Sequence, residues 1–95
     1  MATTVTEVDA SAYEAIVAGP IDLYIENVGG YEITYRVDIT GAQTLTAEGK
    51  ILPRKELHPC RVPDGSSLYA RVTELSIPDR VSKLARTETY LGPET

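Results

Sequence analysis

IDLYIENVGGYEITYRVDI, residues 21–39, decides the fold. Ile21, Leu23 and Ile25 alternate with Asp22, Tyr24 and Glu26; then Tyr31, Ile33, Tyr35, Val37 and Ile39 alternate with Glu32, Thr34, Arg36 and Asp38. A period of two belongs to a half-buried strand, whereas a helix, turning about 100° per residue, would scatter both sets around its surface. Between the runs, Asn27-Val28-Gly29-Gly30 has the length and composition of a hairpin loop. Glycine and asparagine tolerate positive φ there. A phosphate loop would lead into a helix whose amides converge on the anion; here a second strand follows, so the glycines read as a corner of the chain.

Outward from this stretch the same signals recur. In 67–75, SLYARVTEL, Leu68, Ala70 and Val72 alternate with Tyr69, Arg71 and Thr73, just after the turn signal Pro63-Asp64-Gly65-Ser66. TTVTEV at 3–8 is β-branched and reads as a strand or an extended arm. QTLTA at 43–47 is a weaker strand. Residues 11–18 carry a Ser11–Glu14 capping box that favours helix, but Ile16-Val17 running into Gly19-Pro20 favours strand, the preferred reading. Residues 78–86 open on Pro78-Asp79, a helical-turn signal, and end extended. Pro53, Pro59 and Pro63 make 51–65 a loop or an edge segment. Six to eight short strands between turns predict an all-β fold, a small antiparallel β-sandwich or partly open barrel.

The chain is 95 residues long, the size of one domain, read as 1–95 with residues 1–8 a strand or an exchanged N-terminal arm. Its core must come from 23 Ile, Leu and Val with nine Ala and six Tyr, because Trp and Phe are absent. A domain this small buries roughly 60–65% of its unfolded surface. So lean a core favours support from neighbours, and a homo-oligomer or array is expected. Residues 1–30 hold five acids and no Lys or Arg, while 31–95 balance nine of each. That argues against nucleic acid, which needs a basic stripe. No run of the sequence is apolar enough for a membrane span, and the start lacks a signal-peptide pattern, so synthesis in the cytoplasm is expected.

Catalytic chemistry has little to stand on. His58 and Cys60 lie two apart and would share a face, but no third group orients the imidazole and two ligands are too few for zinc. No disulfide can form within a chain holding one cysteine, though Cys60 could bond to a neighbour's. No enzyme activity, cofactor or metal is expected. Tyr24 and Tyr69, on the polar faces of their strands, suit a protein contact or, as the alternative, a carbohydrate or peptide. The candidate interface is therefore Thr4, Val5 and Thr6 of the edge-pairing segment, Tyr24 and Tyr69, and the bases Arg54, Lys55 and Arg61, which could meet the acidic first third of a second copy.

VAGPIDLYIENVGGYEITYRV and ILPRKELHPCRVPDGSSLYARV resemble small β-sandwich virion accessory proteins of tailed bacteriophages. In those chains a Gly-Pro leads into a strand ending in Asn, a Gly turn and a strand with Tyr, then an apolar-Pro segment, a turn and a strand with Leu-Tyr-Ala. The likeness spans Val17 to Val72; the charged loop PRKELHPCR and the charged tail depart from it. It implies a capsid decoration, head-fibre or tail-associated protein, docked on other virion proteins and on copies of itself, and carries over no site residue.

Overall fold

A computed structural model describes residues 3–10, 13–41, 48–73, 80–90 and 92. They form eight strands: β1 Thr3–Asp9, β2 Glu14–Ala18, β3 Ile21–Asn27, β4 Ile33–Ile39, β5 Lys50–Leu52, β6 Leu57–Val62, β7 Ser66–Val72 and β8 Val81–Glu88. Sheet A has the order β1-β8-β3-β6 and sheet B the order β2-β7-β4-β5, every pair antiparallel. Thr3 faces Thr87, Glu14 faces Ala70, Ile21 faces Val62 and Ile33 faces Leu52. The chain is thus one long antiparallel ribbon, tipped between β4 and β5 and rolled so that alternate strands fall in opposite sheets. That is the jelly-roll winding of a β-sandwich.

The rolling corrects one expectation. β3 lies in sheet A and β4 in sheet B, so residues 28–32 form an arch between sheets and not a hairpin loop. Nor do Gly29 and Gly30 hold positive φ; Gly41, Gly65, Gly92 and Lys55 do. Gly29 serves close approach instead: a Cβ there would lie 2.2 Å from Ser82 Oγ and 2.3 Å from the Lys83 nitrogen. The arches meet in pairs, as rolling a two-stranded ribbon requires. Gly19 N donates to Ser66 O at 2.9 Å, joining the β2–β3 arch to the β6–β7 arch. Lys55 N donates to Asn27 O at 2.9 Å, joining the β3–β4 and β5–β6 arches.

Residues 14–18 are a strand, as preferred; a bulge between Ala15 and Val17 explains why Ile16 and Val17 are both half-buried. The proline-rich segment supplies two edge strands, the three-residue β5 and β6, with Pro59 tolerated because β6 is outermost. The TTVTEV segment is β1 of its own sheet, not an arm reaching outward. Ile39, expected on the buried side, is 71% exposed at the end of β4. The strand read at 43–47 and the turn at Pro78-Asp79 lie outside the described residues.

The core lies between the sheets: Val8, Leu23, Ile25, Val62 and Leu84 of sheet A meet Ile33, Leu52, Leu68, Ala70 and Val72 of sheet B. Among the described residues, Asn27 is a fully buried side-chain amide. Asn27 Nδ2 donates to Tyr31 O at 2.8 Å and Leu52 O at 3.0 Å, while Oδ1 accepts from Gly29 N at 3.1 Å and Ser82 Oγ at 3.0 Å. One side chain therefore satisfies the backbone of the arch and ties it to β5 and β8, which is what a buried polar group must do to be tolerated.

Candidate functional site

The two outer faces differ. On sheet B, where alternation placed Tyr69 and Arg71 toward solvent, both are buried, at 6% and 8% exposure. The Tyr69 hydroxyl accepts from Gly41 N at 2.8 Å, Thr40 bonds Ser67, and Arg36 Nη1 donates to Glu48 O, so both ends of the β4–β5 connection fold back over the sheet. Arg71 lies 4.8 Å over the Tyr13 ring and donates to the carbonyls of Val72 and Thr73. Tyr69 is therefore a structural side chain and offers no surface to a partner.

Sheet A is open. Antiparallel register lines its outward side chains into rows: Val5, Ala85, Glu26, Leu57, and beside them Thr3, Thr87, Tyr24, Pro59. Val5, Leu57 and Tyr24 are 54%, 56% and 38% exposed. Charge borders the rows on both sides, with Glu7 opposite Lys83 at one end and Asp22 bonded to Arg61 at the other. Glu26 sets one acid within these rows; around it, apolar and hydroxyl-bearing side chains inside a charged rim have the layout of a protein-contact surface.

The structure brings Val5 and Tyr24 together on this face. Thr4 points the other way, into a recess with Val17, Ile21, Leu23 and Arg86, and Thr6, on the same side of β1, is half-buried. Arg54 and Lys55 are exposed on the β5–β6 arch, and Arg54 borders a shallow recess with Glu7, Val28 and Lys83. Arg61 sits at the opposite end of β6. There it holds Asp22 through Nε at 2.9 Å and Nη2 at 3.2 Å and donates to the Gly92 carbonyl. The three bases do not form one patch; Arg61 is a fastener of β6 to β3.

Among the described residues, the seam between edge strands β5 and β6 holds the one arrangement that resembles chemistry. His58 Nδ1 lies 2.9 Å from the Tyr35 hydroxyl across the sheets, and Nε2 lies 3.3 Å from Glu56 Oε1. Sequence reasoning missed both partners: Tyr35 because it lies 23 residues away, Glu56 because it sits two before His58 on an arch. The set is a carboxylate, an imidazole and a hydroxyl in line. Yet the phenol is only 5% exposed and burial pushes its pKa up, with Cys60 adding to the effect, so it is poorly placed as a nucleophile. Burial, the largest influence, likewise pushes the Cys60 thiol up; nearby Lys50 opposes this and Asp22 reinforces it. A protonated, buried thiol is unreactive. Beside them an open groove of about 420 Å³ is lined by Tyr35, Arg36, Lys50, Pro59, Cys60 and Arg61 among others. No group of three or more potential metal ligands occurs among the described residues.

No family model matches the chain, and comparison with curated proteins and with solved structures gives no match either.

Proposed function

We propose that this chain is a non-enzymatic structural protein of a phage virion, a capsid decoration or head–tail accessory protein that docks on other virion proteins. Jelly rolls serve as capsid domains, lectins and cupins alike, so the winding does not choose among them. The observation that carries the reading is the contrast between the faces: on sheet B, Tyr69 and Arg71 are buried beneath Gly41 and Tyr13, while sheet A presents Val5, Tyr24, Leu57 and Pro59 around Glu26 inside a charged rim. A side chain such as Tyr24 gives contact area while its hydroxyl tolerates water, and it suits a flat surface better than a cleft.

The test is co-sedimentation of the purified chain with shells of the phage that encodes it. The expected result is that the chain pellets with the shells, that Tyr24→Asp loses most of the binding, and that Arg54→Glu with Lys55→Glu weakens it in a salt-dependent way. A chain that stays in the supernatant at every salt concentration, with shells and with isolated tails alike, overturns the reading. Tyr24-dependent binding to a glycan or peptide array, without shell binding, supports instead a carbohydrate- or peptide-binding module, for which the Thr3 and Thr87 hydroxyls beside Tyr24 are the favouring feature.

A further inference from the structure

Among the described residues the sandwich has four strand edges, and three of them are guarded. An open edge offers unpaired N–H and C=O groups to any passing strand, and proteins block it with proline, bulges, lysine or brevity. β6 carries Pro59 in its middle. β2 is interrupted by a bulge, and Arg86 occupies the Ile16 carbonyl. β5 has three residues, begins with Lys50 and is followed by Pro53. β1 lacks proline, bulge, lysine and brevity, and its two charges, Glu7 and Asp9, are confined to one end. It pairs with β8 at all seven positions without a break, contains no proline, glycine or base, and is β-branched at five positions.

We propose that β1 is a self-association edge: two copies of this chain pair their β1 strands antiparallel about a two-fold axis at Val5, joining two A sheets into one of eight strands. The inference rests on the docking function proposed above and names one of its contacts. The sequence of β1 fits this partner. With the axis at Val5, that residue meets Val5 of the second copy, Thr4 meets Thr6, and Thr3 meets Glu7. A half-exposed valine is covered and no acid faces an acid. Shifting by one position would set core-facing side chains beside solvent-facing ones, so register can move only in steps that keep each face. Placing the axis at Thr6 brings the two Glu7 side chains onto neighbouring diagonal positions, where like charges repel. Glu7 and Asp9, at the end of the strand, thus select the pairing centred on Val5. The product is a closed dimer and not a fibre, because each copy has one unguarded edge among its described strands and the two-fold consumes both.

Sedimentation equilibrium of the wild-type chain alone, with no shells present, tests this directly. The expected species is twice 10.3 kDa. Val5→Lys, which installs the guard the other edges have, is expected to raise the dimer dissociation constant by at least about tenfold. Its side chain points to solvent, so folding should be retained, as checked by circular dichroism. Val5→Cys is expected to form an interchain disulfide under mild oxidation, while the wild type, whose Cys60 is buried, does not. A monomeric wild type, a dimer that survives Val5→Lys, or a Val5→Cys dimer that fails to crosslink overturns the proposal. A monomeric wild type whose shell binding is abolished by Val5→Lys assigns the edge to another virion chain, and likewise overturns self-pairing. Because shells are absent from the self-association measurement, its failure leaves the docking function to be decided by co-sedimentation.

Discussion

At the residue scale, Asn27 has the strongest claim to being irreplaceable. It is 0% exposed and engages four partners from three parts of the chain. Asn27→Ala leaves two carbonyls, an amide and a hydroxyl to find other partners in a dry interior. A loss of about 2–4 kcal/mol is expected, read from urea unfolding at unchanged m-value. Two other buried groups set an alkaline limit. The Cys60 thiol is held above its ordinary 9.0 and the Tyr35 phenol above its ordinary 10.0, in both cases chiefly by burial. The folded state therefore keeps protons that the unfolded chain releases. Their contribution is fully present below the unfolded values and is lost as pH rises through the folded ones. The urea midpoint, as far as these two groups set it, should be level below pH 9.0 and fall above it, and Cys60→Ala should move the onset toward the range of Tyr35.

At the element scale, the paired arches decide whether the ribbon can roll. Gly19 is needed for contact: a Cβ there would lie 2.1 Å from Pro63 O and 2.4 Å from Val62 O, both backbone atoms that cannot swing aside. Gly19→Ala should cost about 1–3 kcal/mol. Gly30, with nothing within 4 Å of its would-be Cβ, should accept alanine within about 0.5 kcal/mol, and the pair compared by thermal melting separates crowding from mere loss of glycine. The strands were legible because alternation is a local property: Ile21–Asn27 shows it residue by residue. The arches were not, because a turn between paired strands and a turn between sheets use the same Asn, Gly, Pro and Asp; only Ser82, 53 residues after Gly29, reveals which one this is. Tyr69 was misread for a related reason. Its alternation gave the face correctly, but nothing near it in sequence shows that Gly41 folds back to cover it. Val5 and Tyr24 could be picked out singly; that they share a face depends on β8 lying between their strands, which is a matter of sheet order.

At the scale of the whole molecule, rolling one ribbon places the start of β1 beside the end of β8. Thr3 and Thr87 are direct partners, joined also by their hydroxyls at 2.8 Å. In an antiparallel pair the start of one strand and the finish of the other lie at the same extremity. A load applied between these two points therefore pulls the β1–β8 ladder apart rung by rung, like a zip, and never stretches all its hydrogen bonds together. A sandwich so built is mechanically soft along that one direction. If it reinforces a pressurised container, the force has to enter through its broad face or its lateral margin.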